Sequence, residues 1–178
     1  QAFRGRLAAE GRTRLDVDYG DAPRNRMDLF LPEGAPTGLV VFVHGGFWLR
    51  LDKSFWSHFA AGPLAHGWAV AMPAYTLCPD IRIGGIVHEV GAAIEKAASM
   101  INGPTALTGH SAGGHLASRM IAAGTPLSAA TLARIRNVVS ISGLHDLRPM
   151  MNTAMNDALK IDEAEALAES PALLRPVA

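Results

Sequence analysis

Two segments near the start of the chain, at 14–19 and 27–31, alternate polar and apolar side chains. Such alternation is typical of strands that bury one face and expose the other. A Gly-Asp-Ala-Pro turn separates the two segments, and Pro32 ends the second. The pattern therefore predicts a hairpin-like pair of strands at the start of the fold.

Apolar runs replace this alternation further along the chain. The run 39–43, Leu-Val-Val-Phe-Val, is continuous and rich in β-branched residues. A run of this kind is typical of a strand that is buried on both faces of a parallel sheet. Three later segments, at 68–72, 105–108 and 135–141, predict further strands.

Helical patterns lie between these runs. The segment 80–101 places apolar residues three to four positions apart, as an amphipathic helix does. A helix is also predicted over 54–64, where Ser54 is a candidate N-cap and Gly67 a stop signal. A third, over 162–168, begins with an aspartate that can cap it.

The order of these elements predicts the fold class. From residue 39 onward strands and helices alternate, which favours an α/β protein whose mostly parallel sheet is flanked by helices. No internal repeat, low-complexity segment or linker interrupts the chain. We therefore expect a single domain over residues 1–178.

Charge and composition narrow the class of partner. The 178 residues include 16 basic and 16 acidic side chains, without the basic stripe of a nucleic-acid-binding protein. No apolar run approaches the length of a membrane span. The single cysteine, Cys78, excludes an internal disulfide and favours a cytoplasmic location. No cluster of His, Cys, Asp and Glu has metal-ligand spacing, and we expect neither a metal nor another cofactor.

The segment 109–113 has the pattern G-x-S-x-G, with Ser111 at its centre. A predicted strand ends just before it and a helical pattern begins just after it. This context is typical of a nucleophile elbow, the tight turn that exposes a reactive serine in α/β-hydrolases. At Gly109 and Gly113 a side chain would collide with the strand or helix behind the turn. The alternative is that Ser111 only caps a helix after a glycine-rich turn.

A second glycine-rich segment, His-Gly-Gly-Phe-Trp at 44–48, follows the predicted strand 39–43. Acyl transfer passes through a tetrahedral oxyanion, which needs preorganised donors such as backbone N–H groups. A glycine pair after a strand lets the backbone turn sharply and direct its amides at one point. The alternative is an ordinary loop in which Phe47 and Trp48 pack in the core. The elbow that follows it in the expected order favours the first interpretation.

Three motifs together resemble a known family. The H-G-G-x-W segment at 44–48, the elbow at 109–115 and a Y-x-L-x-P segment at 75–79 are similar to those of kynurenine formamidases and related esterases. These enzymes belong to the α/β-hydrolase superfamily, and the third motif also occurs in hormone-sensitive-lipase-like esterases. The resemblance covers residues 15–175.

The resemblance implies roles for the residues of these motifs. Ser111 would be the nucleophile. The backbone N–H groups of Gly46, Phe47 and Ala112 would form the oxyanion hole, and Gly45 would supply the turn.

The resemblance also implies a substrate pocket beside the glycine pair. Trp48 would line it as part of an aromatic patch with Phe47, Phe55 and Trp56, for which core packing is the alternative. Tyr75 would either contact the substrate or tether the loop through its hydroxyl, and both alternatives stay open.

The catalytic triad is where the chain departs from this family. The family order is serine, acid, histidine, yet no histidine follows His145. His145 and Asp146 are weak internal candidates, because the resemblance places an aromatic packing residue at 145. We therefore expect the last two strands, with the acid and the histidine, beyond Ala178 in a protein of about 250 residues. The strand 135–141 would then be an exposed hydrophobic edge.

These observations predict a serine hydrolase that cleaves a small ester or amide through an acyl-enzyme on Ser111. A carboxylesterase acting on small acyl substrates is the broad expectation. Cleavage of N-formylkynurenine by an arylformamidase is the narrower one, and only the resemblance implies it. The alternative from another class is a non-catalytic binding protein that keeps the fold without a complete triad. The expected partner is a small acyl substrate, and a homodimer is left open.

Overall fold

The computed structural model describes residues 2–177, so the outermost residues of the predicted domain, 1 and 178, lie outside it. Within that range the core is a sheet of six strands. The strands are β1 (Thr13–Asp18), β2 (Arg26–Phe30), β3 (Leu39–Val43), β4 (Ala69–Pro73), β5 (Thr105–His110) and β6 (Ile135–Ile141). The helices are α1 (Ala2–Ala9), α2 (Ala61–Ala65), α3 (Ile83–Met100), α4 (Ala112–Arg119), α5 (Ala129–Leu132), α6 (Asn156–Leu159) and α7 (Glu163–Ala168). Three 3-10 segments complete the described elements, at Lys53–Ala60, Arg148–Asn152 and Pro171–Leu173.

The strand order across the sheet is β1-β2-β4-β3-β5-β6. The first two strands form an antiparallel pair, and β2 runs antiparallel to β4. From β4 to β6 every neighbouring pair is parallel. The predicted hairpin and the predicted mostly parallel sheet are therefore both confirmed.

Two buried clusters cover the two faces of the sheet. Successive side chains of a strand point to opposite faces. Val41 therefore packs in the cluster beneath α3 and α4, while Phe42 packs in the cluster beneath α1 and the 3-10 segment Lys53–Ala60. The central strands are apolar throughout since both of their faces are covered.

Helix boundaries differ from the prediction at two places. The segment predicted as one helix over 54–64 is a 3-10 segment followed by α2, and its N-cap is Asp52 rather than Ser54. Asp52 has the extended backbone that a cap requires, and its carboxylate accepts the N–H of Ser54 at 2.9 Å. Helix α3 begins at Ile83 rather than at residue 80, because Asp80 donates its N–H to Leu77 within a tight turn.

Helix α1 was not predicted from the sequence. Its pattern is only weakly amphipathic, and Leu7 is the residue that it buries. The helix is held by contacts distant in sequence: Arg4 donates to the buried carboxylate of Asp28 on β2 at 2.7 Å, and that carboxylate also lies 3.5 Å from Lys53. A tertiary ion-pair cluster of this kind leaves no local signal in the sequence.

Strand β6 lies at one edge of the sheet. Its side chains Val139 and Ile141 are 54% and 42% exposed. They lie on the face of the sheet that α1 and α2 cover further along. No helix of residues 2–177 combines the length and the apolar character that a membrane span requires.

Candidate active site

Ser111 lies at a sharp turn between β5 and α4. Its backbone has φ 55° and ψ −118°, a conformation that side-chain-bearing residues rarely adopt. A Cβ at Gly109 would lie 2.2 Å from the carbonyl oxygen of Gly113, and one at Gly113 would lie 2.0 Å from that of Val43. Only glycine fits at either position. The Ser111 side chain makes no capping hydrogen bond to α4, so the helix-cap alternative is not supported.

The loop 44–51 lies between β3 and the 3-10 segment Lys53–Ala60 and has an unusual backbone. Phe47, Trp48 and Leu51 all have positive φ, at 59°, 60° and 74°. Gly46 has φ 125°, and a Cβ there would lie 2.0 Å from the carbonyl oxygen of Arg50. Three non-glycine residues in this region cost free energy that the surrounding contacts must offset. The loop therefore has a strained conformation that depends on its surrounding contacts.

The loop 44–51 packs directly on the elbow. Strands β3 and β5 are parallel neighbours, and Val43 pairs with Gly109, so both motifs leave the same edge of the sheet. A Cβ at Gly45 would lie 2.6 Å from the carbonyl oxygen of His110 and 3.3 Å from the Cβ of Ser111. This close approach brings the glycine pair beside the serine.

Donors for an oxyanion are available at this junction. The backbone N–H of Ala112 belongs to the first turn of α4, where amides lack intrahelical partners and the helix dipole favours negative charge. Gly46 and Phe47 lie in the adjoining loop. Convergence of these three N–H groups on one substrate oxygen stays a prediction.

His44 braces the start of the loop. Its Nδ1 lies 2.7 Å from the carbonyl oxygen of Gly45, and its ring stacks on Tyr75 with centroids 4.3 Å apart. Burial lowers the pKa of His44 to about 4, so the ring is neutral above that pH and Nδ1 carries the donated proton. In a trans peptide the C=O and the N–H point in opposite directions. The bond to Gly45 therefore also fixes the direction of the Gly46 N–H.

Trp48 and Tyr75 are the residues for which the resemblance implies substrate contact, and the structure buries both side chains fully. The Trp48 ring meets the ring of His115 edge-on, with centroids 5.3 Å apart. The Tyr75 hydroxyl donates to the carbonyl oxygen of His44 at 2.9 Å, which is the tethering alternative. Neither side chain presents a surface to a ligand within residues 2–177, and their contact with substrate stays a prediction. Phe47, by contrast, is 40% exposed.

The internal candidates for acid and base have other partners. His145 Nε2 lies 3.2 Å from the hydroxyl of Ser140. Asp146 is solvated and accepts from Arg148 at 2.7 Å, and this hydrogen bond lowers the pKa of the Asp146 carboxyl. Neither residue forms a hydrogen bond with the serine of the elbow in the part of the chain that the structure describes.

His115 is one turn beyond the nucleophile but belongs to the core. Its Nε2 lies 2.6 Å from the carbonyl oxygen of Glu169, and the side chain is fully buried. Desolvation lowers the pKa of His115 to about 4. The residue therefore links α4 to the C-terminal segment and is not placed to activate Ser111.

Cys78 and the metal-ligating residue types offer no second chemistry. The Cys78 thiol is buried, and desolvation raises its pKa to about 11, so it stays protonated. Its backbone N–H donates to the carbonyl oxygen of Trp48 at 2.9 Å. Across residues 2–177 no group of three or more His, Cys, Asp and Glu side chains could hold a metal ion.

Sequence reasoning missed Arg24, which contacts the site through the backbone. Its guanidinium reaches the carbonyl oxygens of Tyr75 and Leu51. Arg24 lies in the turn between β1 and β2, where an arginine is ordinarily solvated, and nothing in its neighbourhood of the sequence points to the loop.

Comparison with known proteins identifies the family of the chain. The BD-FAE family model matches residues 27–175. The kynurenine formamidase of Salmo salar is 34% identical over 92% of this chain, and the match covers 57% of that protein, so the chain spans little more than half of it. The predicted resemblance to kynurenine formamidases is thus confirmed.

Solved structures give the same fold. A crystal structure from Silicibacter sp., named a "putative thioesterase", has a TM-score of 0.94 and 53% identity, covering 98% of this chain and 65% of that one. Esterase B from Lactobacillus rhamnosis has a TM-score of 0.73 and 19% identity, covering 98% and 72%. These neighbours confirm the α/β-hydrolase fold that the motifs predict. Because the family model matches most of this chain, residues 27–175, the chain belongs to the BD-FAE family.

Proposed function

We propose that the protein is a serine hydrolase that cleaves a small ester or N-formyl amide through an acyl-enzyme on Ser111. The observation that carries this proposal is the contact between the two motifs: Gly45 lies against the Cβ of Ser111, as the 3.3 Å approach of a Cβ at position 45 indicates. A nucleophile and a loop of potential oxyanion donors are thereby held side by side.

The proposed chemistry proceeds in two halves. Ser111 Oγ attacks the carbonyl carbon, its proton passes to a general base, and the carbonyl oxygen takes up negative charge. The N–H groups of Gly46, Phe47 and Ala112 donate to that oxygen. The intermediate collapses, the alcohol or amine leaves with a proton from the base, and water then hydrolyses the acyl-enzyme by the reverse sequence. No cofactor takes part in these steps.

The base for the Ser111 proton is a separate part of the proposal. The family order of motifs favours a histidine oriented by an acid, both located after residue 178, and this stays a prediction. The sequence of the whole gene product tests it. The prediction is supported if that sequence contains a strand followed by an acidic residue and a later strand followed by a histidine. Their absence there would contradict it.

The substrate class is supported by the relatives and by exposed apolar side chains on and just after the loop 44–51. One relative is named a kynurenine formamidase and one structural neighbour a thioesterase, and both reactions pass through a tetrahedral oxyanion. Phe47, Leu51 and Phe55 are exposed apolar residues on or just after the loop 44–51. We therefore propose a substrate with an apolar or aryl group beside the scissile carbonyl, and N-formylkynurenine as the specific candidate.

Hydrolysis of p-nitrophenyl acetate by the whole gene product, which would contain the proposed base, tests the proposed reaction. Ser111→Ala should lower kcat by at least about 1,000-fold, since it removes the nucleophile. Ser118→Ala, on the same helix, is the matched control and should retain activity. Equal rates for the wild type and Ser111→Ala would contradict the proposal and favour the non-catalytic binding protein.

Release of formate from N-formylkynurenine tests the narrower substrate. Turnover of this compound at a kcat/KM above that of p-nitrophenyl acetate would support the arylformamidase assignment. Brisk hydrolysis of the ester without release of formate would leave a general carboxylesterase.

Location and assembly stay predictions. We propose a cytoplasmic protein, for which the support is a single buried cysteine that cannot form an internal disulfide. A measurement of the molar mass in solution would show whether the protein forms a homodimer.

A further inference from the structure

Tyr75 and Arg24 together hold the two ends of the loop 44–51. At its start, the Tyr75 hydroxyl donates to the carbonyl oxygen of His44 at 2.9 Å. At its end, the connection runs through Arg24. The Arg24 Nε donates to the carbonyl oxygen of Tyr75 at 2.7 Å, and its Nη2 donates to that of Leu51 at 2.9 Å. One guanidinium thus joins the residue that holds the start of the loop to the residue that ends it.

Arg24 is suited to this task by its shape and surroundings. The guanidinium is planar, and its donors keep a fixed angle, so both carbonyls are held in one geometry. Hydrogen bonds from a charged donor are also stronger than those from a neutral one. Asp52, directly after the loop, lies 3.6 Å from Nη2 and attracts the guanidinium to this position.

The strained backbone of the loop gives this contact its importance. Phe47, Trp48 and Leu51 have positive φ, and Arg24 binds the carbonyl of the last of them. Such conformations persist only where surrounding contacts over-determine them. Without Arg24, the end of the loop would be free to relax toward an ordinary conformation.

We propose that Arg24 is a positioning residue, which sets the directions of the Gly46 and Phe47 amides by fixing the end of the loop 44–51. This inference rests on the proposed function for its effect on rate, but not for its effect on the loop. Within residues 2–177 Arg24 forms no hydrogen bond with Ser111, and it acts through the backbone carbonyls that it binds.

Two variants and one matched control test the proposal. Arg24→Met removes both donors while keeping the aliphatic stem. Arg24→Lys keeps the charge but loses the two donors that the planar guanidinium holds at a fixed angle. Arg134→Met is the control. Arg134 also donates to backbone carbonyls, those of Gly103, Ala98 and Ile101, but at the opposite end of the sheet from Ser111.

Amide hydrogen exchange reports on the loop without any need for catalysis. The N–H groups of Leu49 and Arg50 both donate to the carbonyl oxygen of Gly46 at 3.0 Å and are protected only while the loop keeps its turn. Arg24→Met should speed exchange in a peptide covering 44–51 by at least about tenfold. Arg134→Met should not change exchange in that peptide.

Kinetics report on the consequence for the reaction. Arg24→Met should lower kcat for p-nitrophenyl acetate by about 10- to 100-fold, because small misplacements of catalytic groups have effects of this size. KM should stay within about twofold, since the change acts on transition-state donors. Arg24→Lys should show most of the same loss, and Arg134→Met none of it.

Each outcome decides a defined part of the account. Unchanged exchange in Arg24→Met overturns the inference whatever the activity, and so does a kcat within twofold of an active wild type. A wild type no faster than Ser111→Ala instead contradicts the proposed function, and the exchange comparison still decides whether Arg24 holds the loop.

Discussion

Gly45→Ala should separate the loop 44–51 from the nucleophile elbow without unfolding the protein. Gly45 does not have positive φ, so an alanine is allowed by its backbone, and the effect is purely steric. The added Cβ would lie 2.6 Å from the carbonyl oxygen of His110, about 0.9 Å closer than the ~3.5 Å of a normal non-bonded contact. Because that oxygen belongs to the backbone of β5, it cannot rotate away, and the loop must move by nearly 1 Å.

A displacement of that size converts into a large rate effect. Misplacing catalytic groups by about 1 Å lowers the rate about 100-fold, which corresponds to about 2.7 kcal/mol of transition-state stabilisation. Overpacking should also lower the free energy of unfolding by about 1–3 kcal/mol. The assay is kcat/KM for p-nitrophenyl acetate, with the melting temperature measured on the same sample.

Gly62→Ala is the matched control for this change. A Cβ at Gly62, within α2, meets nothing within 4 Å. Alanine should therefore stabilise the helix by about 0.5–1 kcal/mol and leave the rate unchanged. A folded Gly45→Ala protein whose kcat/KM stays within threefold of the wild type would refute the claim that this close approach matters to catalysis.

Two further predictions concern the groups that support the loop. Tyr75→Phe removes the hydroxyl that donates to His44; it should lower kcat at nearly constant KM and reduce the free energy of unfolding, measured in urea, by about 1 kcal/mol. A variant with wild-type kcat would show that this tether is dispensable. The second prediction concerns pH. Burial lowers the pKa of both His44 and His115 to about 4 from 6.5, so the unfolded chain binds more protons than the folded one between these values. The contribution of these two histidines to the free energy of unfolding should therefore fall as the pH drops below 6.5 and reach its minimum below about 4. His115→Gln should flatten the slope in urea unfolding measured across this range; an unchanged slope would contradict the assignment.

Local patterns predicted the elements that build the site. The apolar run of β3 and the glycines around Ser111 are short-range signals, because a buried strand and a tight turn each restrict the residue types at neighbouring positions. The parallel direction of the later strands followed from the same signals, since alternating strands and helices favour parallel neighbours. That the two motifs share one site was implied by the family resemblance, and the structure places Gly45 against Ser111.

Side-chain directions and distant contacts could not be predicted in the same way. The positive φ of Trp48 turns its side chain into the core, and a motif specifies the order of residues but not that turn. Tyr75 is buried by its stacking on His44, on another strand's loop. Arg24 meets Tyr75 across 51 positions of sequence, a separation at which no periodicity carries information.

The most direct test of the central claim is the stoichiometry of a covalent adduct at Ser111. The whole gene product is titrated with a fluorophosphonate. Residual ester hydrolysis is measured by absorbance, and the fraction of modified peptide by mass spectrometry. The account predicts that one adduct forms per chain, that it lies on Ser111, and that activity falls in direct proportion to it. Full hydrolysis retained with Ser111 modified, or inactivation with the adduct on another residue, would contradict the account.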